Sequence, residues 1–323
     1  MDTAALLDPR VLLVTGKGGV GKSTIAAALA LAASRTGRRT GLVEVEGRQT
    51  MARVFSSERW DFEEREIRPD LFGMSVDPEA SLSEYLEMFY GARRLSKFVV
   101  GSTAVEFATT AAPGIKDVLL IGKVKEMERR RDASGRFHYD LVIVDAPPTG
   151  RIVNFLRAPE ATTELVGVGP IRQQAQSVVD MLLDPDRTHV QLVTLLEEMP
   201  VEETIAGAAA LEELGVAISP VIVNRVLPAR LDPAAHQVLD DGLDPSKVAA
   251  IASEAGVDLD RAAVDRLLDR GQRHLARLAL QDRMRTALTD LDVPATELPF
   301  IASREFREAE VSQLAVRIVD LVA

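Results

Sequence analysis

The chain reads as an α/β protein: a mostly parallel sheet flanked by helices, with a helical subdomain inserted between strands. Three stretches predict this. Residues 11–15 are an apolar strand that runs through a glycine-rich turn into an alanine-rich helix. Residues 40–46 are a second short strand, so the three elements form a βαβ unit with a right-handed crossover. Residues 137–145 are another apolar strand, and it ends in Asp145, at the strand end where such sheets place their ligands.

The turn after the first strand carries the chemistry. Gly16, Gly21, Lys22 and Ser23 fill the pattern G-x-x-x-x-G-K-[ST], with Lys17, Gly18, Gly19 and Val20 between them and Thr24 following. Glycines let consecutive backbone N–H groups converge on an anion, and the helix N-terminus adds partial positive charge. In that geometry Lys22 reaches the terminal phosphates of a nucleotide and Ser23 ligates Mg2+. Asp145 is expected to join Ser23 at the metal. The turn Asp145-Ala-Pro147-Pro-Thr149-Gly150 that follows is placed to sense a γ-phosphate. Lys17 is not needed to fill the pattern. A long cation there could cross to a second subunit and neutralise its phosphates, as an arginine finger does.

Further strands are expected at residues 71–77, 190–196, 219–226 and 293–299, and a terminal amphipathic helix over 306–322. Pro200, Glu202 and Glu203 suit a helix start, where a missing N–H costs nothing and acids meet the positive end of the dipole. The whole of residues 1–323 reads as one domain. Within it, 79–131 is the inserted helical subdomain and 229–290 a helical, acidic insertion. Leu82, Tyr85, Leu86, Met88, Phe89, Phe98, Val99, Phe107, Leu119, Leu120 and Met127 form periodic apolar stripes, which favour packing onto the sheet domain or a partner subunit. The terminal helix lacks the Lys/Arg-rich face of a membrane-surface helix and is expected to pack against the sheet domain.

Composition narrows the partners. Acids outnumber bases 49 to 38, for a net charge of −11, which disfavours binding to nucleic acid through a broad basic face. No cysteine is present, which excludes thiolate zinc sites, iron–sulfur clusters and thiol nucleophiles. The first ten residues lack a signal-peptide pattern and no apolar run is long enough to span a bilayer. The expected location is cytoplasmic, or peripheral at a membrane.

The segment 16–24 resembles the deviant Walker A loop of the dimeric ATPases that include the Min/Par partition ATPases, nitrogenase iron protein and the arsenite-pump ATPases. Residues 145–150 are similar to switch II of the arsenite-pump ATPases and their relatives that target tail-anchored membrane proteins. Pro113-Gly114-Ile-Lys-Asp-Val, Pro200-Val-Glu-Glu-Thr, Val223-Asn224-Arg225-Val226 and Leu298-Pro299-Phe300 follow in that family's order. The likeness covers nearly the whole chain, 229–290 least. It is nearest to the anion-transporter-type ATPases of actinobacteria.

The resemblance implies a P-loop NTPase fold, ATP and Mg2+ as cofactors, and a dimer of this chain or with a paralogous ATPase. It makes Lys17 the intersubunit lysine, and Asn224, Arg225, Pro299 and Phe300 the border of the adenine. It also implies a membrane-protein client or membrane partner, with the apolar residues between 82 and 127 lining a groove for the client as the alternative to packing. Two departures qualify it. Where the family carries Asp-Pro-Ala-His after the second strand, this chain has Glu46-Gly47-Arg48-Gln49. Glu46 can orient a water but is one methylene longer, and a nucleophile misplaced by about 1 Å can cost on the order of 100-fold in rate. The absence of cysteine removes the family's thiolate arsenite site and its Cys-x-x-Cys zinc site. The expected function is an ATP-hydrolysing dimeric switch for a client other than arsenite. The alternative is a low-activity regulatory or scaffold subunit paired with an active paralogue.

Overall fold

The computed structural model describes residues 6–45, 47, 49–77, 80–81, 114–165, 170–229, 237 and 241–322. In chain order the described elements begin β1 (Val11–Gly16), α1 (Lys22–Arg35), β2 (Thr40–Glu44), α2 (Thr50–Val54), β3 (Arg65–Arg68) and β4 (Leu71–Ser75). They continue α3 (Ile115–Arg129), β5 (Leu141–Asp145), α4 (Thr149–Leu165), α5 (Pro170–Leu183), β6 (Thr188–Thr194) and α6 (Glu198–Glu213). Last come β7 (Ala217–Ile218), β8 (Val221–Val226), α7 (Pro245–Glu254), α8 (Arg261–Leu288), β9 (Ala295–Pro299) and α9 (Glu308–Val322).

The strands form one sheet in the order β3-β4-β2-β5-β1-β6-β8-β9, with β7 beside the start of β6. Every pairing is parallel except β3 with β4. The central strands β1, β2 and β5 are buried along their whole length, as continuous apolar runs covered on both faces must be. One face is covered by α1, α2 and α9, whose Leu29, Met51 and Ile318 share a core with Leu12 and Ile143. The other is covered by α3, α4, α5 and α6, through Ile121, Met127, Phe155, Val178 and Leu211. Small side chains make α1 fit: six buried alanines let it lie close to both the sheet and α9.

Several elements differ from the sequence expectation. The antiparallel edge strand β3, Arg-Glu-Ile-Arg, carries one buried side chain, Ile67, too little for a periodicity signal. The strand expected over 137–145 starts at Leu141, because residues 137–140 turn back to pair Phe137 with Arg131. The strand expected over 219–226 begins at Val221 as β8, with the short β7 just before it, and β2 ends at Glu44. In the 79–131 region, α3 buries Leu120, Ile121, Val124 and Met127 in the sheet core, with Leu119 partly covered. Leu82, Tyr85, Leu86, Met88, Phe89, Phe98, Val99 and Phe107 lie outside the described residues. In 229–290, α7 and α8 are helical as expected. Along α8, however, seven arginines accompany three aspartates, opposite to the acidic character expected there. That helix, about 42 Å long at 1.5 Å per residue, buries only Val264, Gln281 and Leu288.

Two arginines anchor the far end of the sheet. Glu128 on α3 accepts from Arg10 at 3.1 Å and Arg187 at 2.8 Å, just before β1 and β6. Burial raises the Glu128 carboxyl, but these hydrogen bonds and charges hold it below its usual range. The terminal helix α9 lays Val311, Leu314, Ala315 and Ile318 mainly on α1. No helix among the described residues is long and apolar enough to cross a membrane. Truncating Ile318 to alanine is expected to cost about 2–5 kcal/mol of stability, read as a lowered denaturant midpoint with an unchanged slope.

Candidate nucleotide site

The site lies where β1 sits between β5 and β6, the point at which the strand order reverses direction from the centre. Gly16 has φ +153°, and a Cβ there would stand 2.1 Å from the Val193 carbonyl oxygen of β6. Any side chain would push the loop off the sheet. At its other end the loop is held by Asn224, whose amide donates to the Val20 carbonyl at 2.9 Å. Gly21, at φ +97°, passes so close that a Cβ would meet Asn224 Nδ2 at 2.5 Å. Between these clamps Gly18 and Gly19 are exposed, with nothing within 4 Å of where a Cβ would stand. The cradle is open at the position the sequence assigns to phosphates. The first turn of α1 contains no acid and no side-chain cap, so no protein carboxylate competes there with an anion.

Around the loop the expected residues converge. Lys22 is buried, and its Nζ donates to the Lys17 carbonyl at 3.3 Å, which folds it back along the loop. Ser23 Oγ donates to Asp145 Oδ2 at 2.6 Å, bringing together the two oxygen donors expected at Mg2+. Asp145 ends β5 in register with Val14 of β1 and Glu44 of β2. The turn beyond it is tied to β1, since Thr15 Oγ1 donates to the Pro147 carbonyl at 2.6 Å. Thr149 and Gly150 open α4. Thr24 is half-buried on α1. Among the described residues no cluster of three His, Asp or Glu side chains could hold a metal by itself. A hydroxyl and one carboxylate beside a phosphate cradle fit Mg2+, which keeps waters and shares phosphate oxygens.

On the other rim, Asn224 Oδ1 accepts from the Arg225 backbone N–H at 2.9 Å, and Arg225 is left-handed at φ +56°. Phe300 N–H donates to the Val226 carbonyl at 2.9 Å, which sets Pro299 and Phe300 alongside, with Phe300 exposed. Glu46 and Arg48 lie outside the described residues.

Two carboxylates escape the sequence reading. Lys17 Nζ forms a 2.7 Å ion pair with Glu203 of α6, and the Thr149 hydroxyl donates to the same carboxylate. Burial raises the Glu203 carboxyl, but the hydrogen bonds from Lys17 and Thr149 and the charges of Lys17 and Lys22 hold it below its usual range. The sequence places Glu203 at a helix start and in a segment shared with the resembled family, with no role at the phosphate loop. Glu44, which is fully buried, accepts from the Gln49 and Thr50 backbone N–H groups at 3.0 and 2.8 Å and so caps α2. Its sequence signal is an acid within the expected strand, two residues before Glu46.

An open phosphate cradle at the switch point of a parallel sheet, flanked by a lysine and a Ser–Asp pair, defines a nucleotide-binding protein of the phosphate-loop class. The sequence model of the anion-transporting ATPase family matches residues 9–178 and 167–238. ATPase BagA of Mycobacterium tuberculosis is 42% identical over 299 residues, covering 91% of this chain and 88% of that protein. The arsenical pump-driving ATPase of Escherichia coli is 26% identical over 235 residues, 68% of this chain and 40% of that protein. The corresponding pump-driving ATPase of Acidiphilium multivorum is 26% identical over 312 residues, 90% and 51% respectively. The chain belongs to the anion-transporting ATPase family and is an ATP-binding ATPase of that family.

The lowered Glu203 carboxyl has a pH consequence. A group held below its unfolded value of 4.5 stabilises the fold above that value and loses the contribution as pH falls through its folded value. The stability gap between wild type and Glu203→Gln is therefore expected to be present at neutral pH and to close in the acid range below 4.5, measured by urea midpoints at each pH.

Proposed function

We propose that this ATPase is a dimeric switch, in which ATP held on one phosphate loop is completed by Lys17 from a second subunit. The observation that carries the reading is the state of Lys17. It stands on the phosphate loop, 29% exposed, and among the described residues its charge is met by one acid, Glu203, which is itself 30% exposed. Exchange of that carboxylate for a neighbour's phosphates needs only a side-chain movement. Thr149 stays bonded to the same carboxylate, so the exchange would change the charge that faces the first residue of α4.

The remaining roles are assigned from the sequence pattern, supported by where the described site residues lie. The N–H groups around Gly18 and Gly19, with Lys22, bind the phosphates. Ser23 and Asp145 hold Mg2+, which when bound neutralises charge on the phosphate oxygens. Asn224, Arg225, Pro299 and Phe300 border the base. Glu46 orients the attacking water, and its extra methylene makes hydrolysis slow. The energy of closure is coupled to a protein client or membrane partner, with the 79–131 region as the responsive subdomain. The chain has no cysteine, so arsenite held by thiolates is not the cargo. The Glu in place of Asp also favours a second reading, a low-activity subunit paired with a more active paralogue.

Turnover of the purified chain decides between them. Lys22→Ala is expected to lower kcat/KM by at least about 100-fold. Lys17→Ala should leave ATP affinity near wild type while lowering kcat by about 1000-fold, the scale of an inserted cation. Light scattering with a slowly hydrolysed ATP analogue should show a dimer for wild type and a monomer for Lys17→Ala. A Lys17→Ala chain that turns over at the wild-type rate overturns the intersubunit role. A Glu46→Gln chain with unchanged turnover removes Glu46 from the chemistry and leaves the low-activity reading.

A further inference from the structure

On the sheet face that carries α2 and α9, a solvent-open hollow of about 380 Å3 is lined by Arg53, Arg59 and Arg307, with Gln49, Ser56 and Ser57. Three guanidinium groups around one hollow repel each other, and the chain has acids to spare at a net charge of −11. Yet among the described residues neither Arg53 nor Arg59 has a carboxylate within bridging distance. Arg53 donates to the Gln49 carbonyl, at 3.3 Å. Arg307 shares Glu305 at 3.2 Å, and Glu58 turns instead toward Arg65 at 3.7 Å. Among the described residues the hollow thus keeps two guanidinium groups without a paired acid, beside Ser56 and a Ser57 hydroxyl whose hydrogen is held only by a long 3.4 Å bond to the Glu58 carbonyl, a donor set suited to a phosphoryl oxyanion.

We propose that this hollow is a second anion site, separate from the phosphate loop, for a small soluble phosphorylated ligand carrying at least two negative charges. Its wall is joined to the nucleotide site. Gln49 brackets the Trp60 backbone, donating to the Trp60 carbonyl and accepting from its N–H, both at 2.8 Å. The Gln49 backbone N–H is held by Glu44, the register partner of Asp145. An anion that draws Arg53 and Ser57 inward therefore restrains the end of the segment that carries Glu46.

The chain reports on the hollow by itself. Trp60 is the only tryptophan, and its indole N–H donates to Ser57 Oγ at 2.9 Å. Inorganic pyrophosphate serves as the probe, titrated into the full chain carrying Lys22→Ala to disable the phosphate loop, with sodium chloride at matched ionic strength as the control. The expected result is a saturable change in Trp60 emission that sodium chloride does not reproduce. Adding Arg53→Ala and Arg59→Ala should weaken that binding by about tenfold or more, because each removes a charge-assisted contact. Both arginines are exposed, so the emission maximum of the unliganded variant should match wild type and certify its fold. Calorimetry on the otherwise wild-type chain gives the same comparison, with two pyrophosphates bound falling to one when the arginines are removed. The proposal is overturned if pyrophosphate leaves Trp60 unchanged or if its effect survives removal of both arginines. It is also overturned if only phosphatidic acid in phosphatidylcholine vesicles, and no free pyrophosphate, is bound.

Discussion

The contact on which the site depends is the one between Gly16 and the Val193 carbonyl. With no room for a Cβ, the phosphate loop leaves β1 pressed against β6, and its path across the top of the sheet is set before any ligand arrives. Everything else is arranged from that point. Thr15 ties the turn after β5 to the same strand, Asp145 comes within hydrogen-bond distance of Ser23, and Asn224 closes the loop from β8. A cradle held on three strands loses little freedom when it binds phosphate, which is the physical meaning of preorganisation.

Electrostatics then divide the loop in two. The half at Gly18 and Gly19 offers N–H groups with no acid in the following helical turn. The half at Lys17 is neutralised by Glu203, which also binds Thr149. One carboxylate therefore spans the phosphate loop and the first turn of α4. Both side chains of the pair remain partly open to water, at 29% and 30%, so its net contribution to stability is modest.

The two ends of the sheet are built differently for the same reason. Away from the ligand end, Glu128 is enclosed by Arg10 and Arg187 and serves to fasten α3 under β1 and β6. At the ligand end, the buried acids Asp145 and Glu44 stand side by side on neighbouring strands. Asp145 meets a hydroxyl, and Glu44 is satisfied by backbone N–H groups of α2, so the start of α2 is placed relative to the site through a buried carboxylate.

Much of this was legible in order along the chain. Residues 16–24 and 145–150 carry their chemistry in short local patterns, because a phosphate loop needs glycines, a lysine and a hydroxyl at fixed spacing. The apolar runs of β1, β2 and β5 announce strands buried on both faces. What no local pattern could contain were contacts closed by the fold. Glu203 meets Lys17 across 186 residues, and Asn224 meets Val20 across 204. Arg53 and Arg307 come together only when α2 and the start of α9 lie side by side. The charged edge strand β3 was likewise invisible, since one buried isoleucine makes no period. By itself the sequence determined the α/β class, the phosphate loop and its family, because these rest on backbone propensity and residue spacing. Only the tertiary structure decided which charge each lysine and arginine faces, because that depends on which distant strands and helices the core brings together.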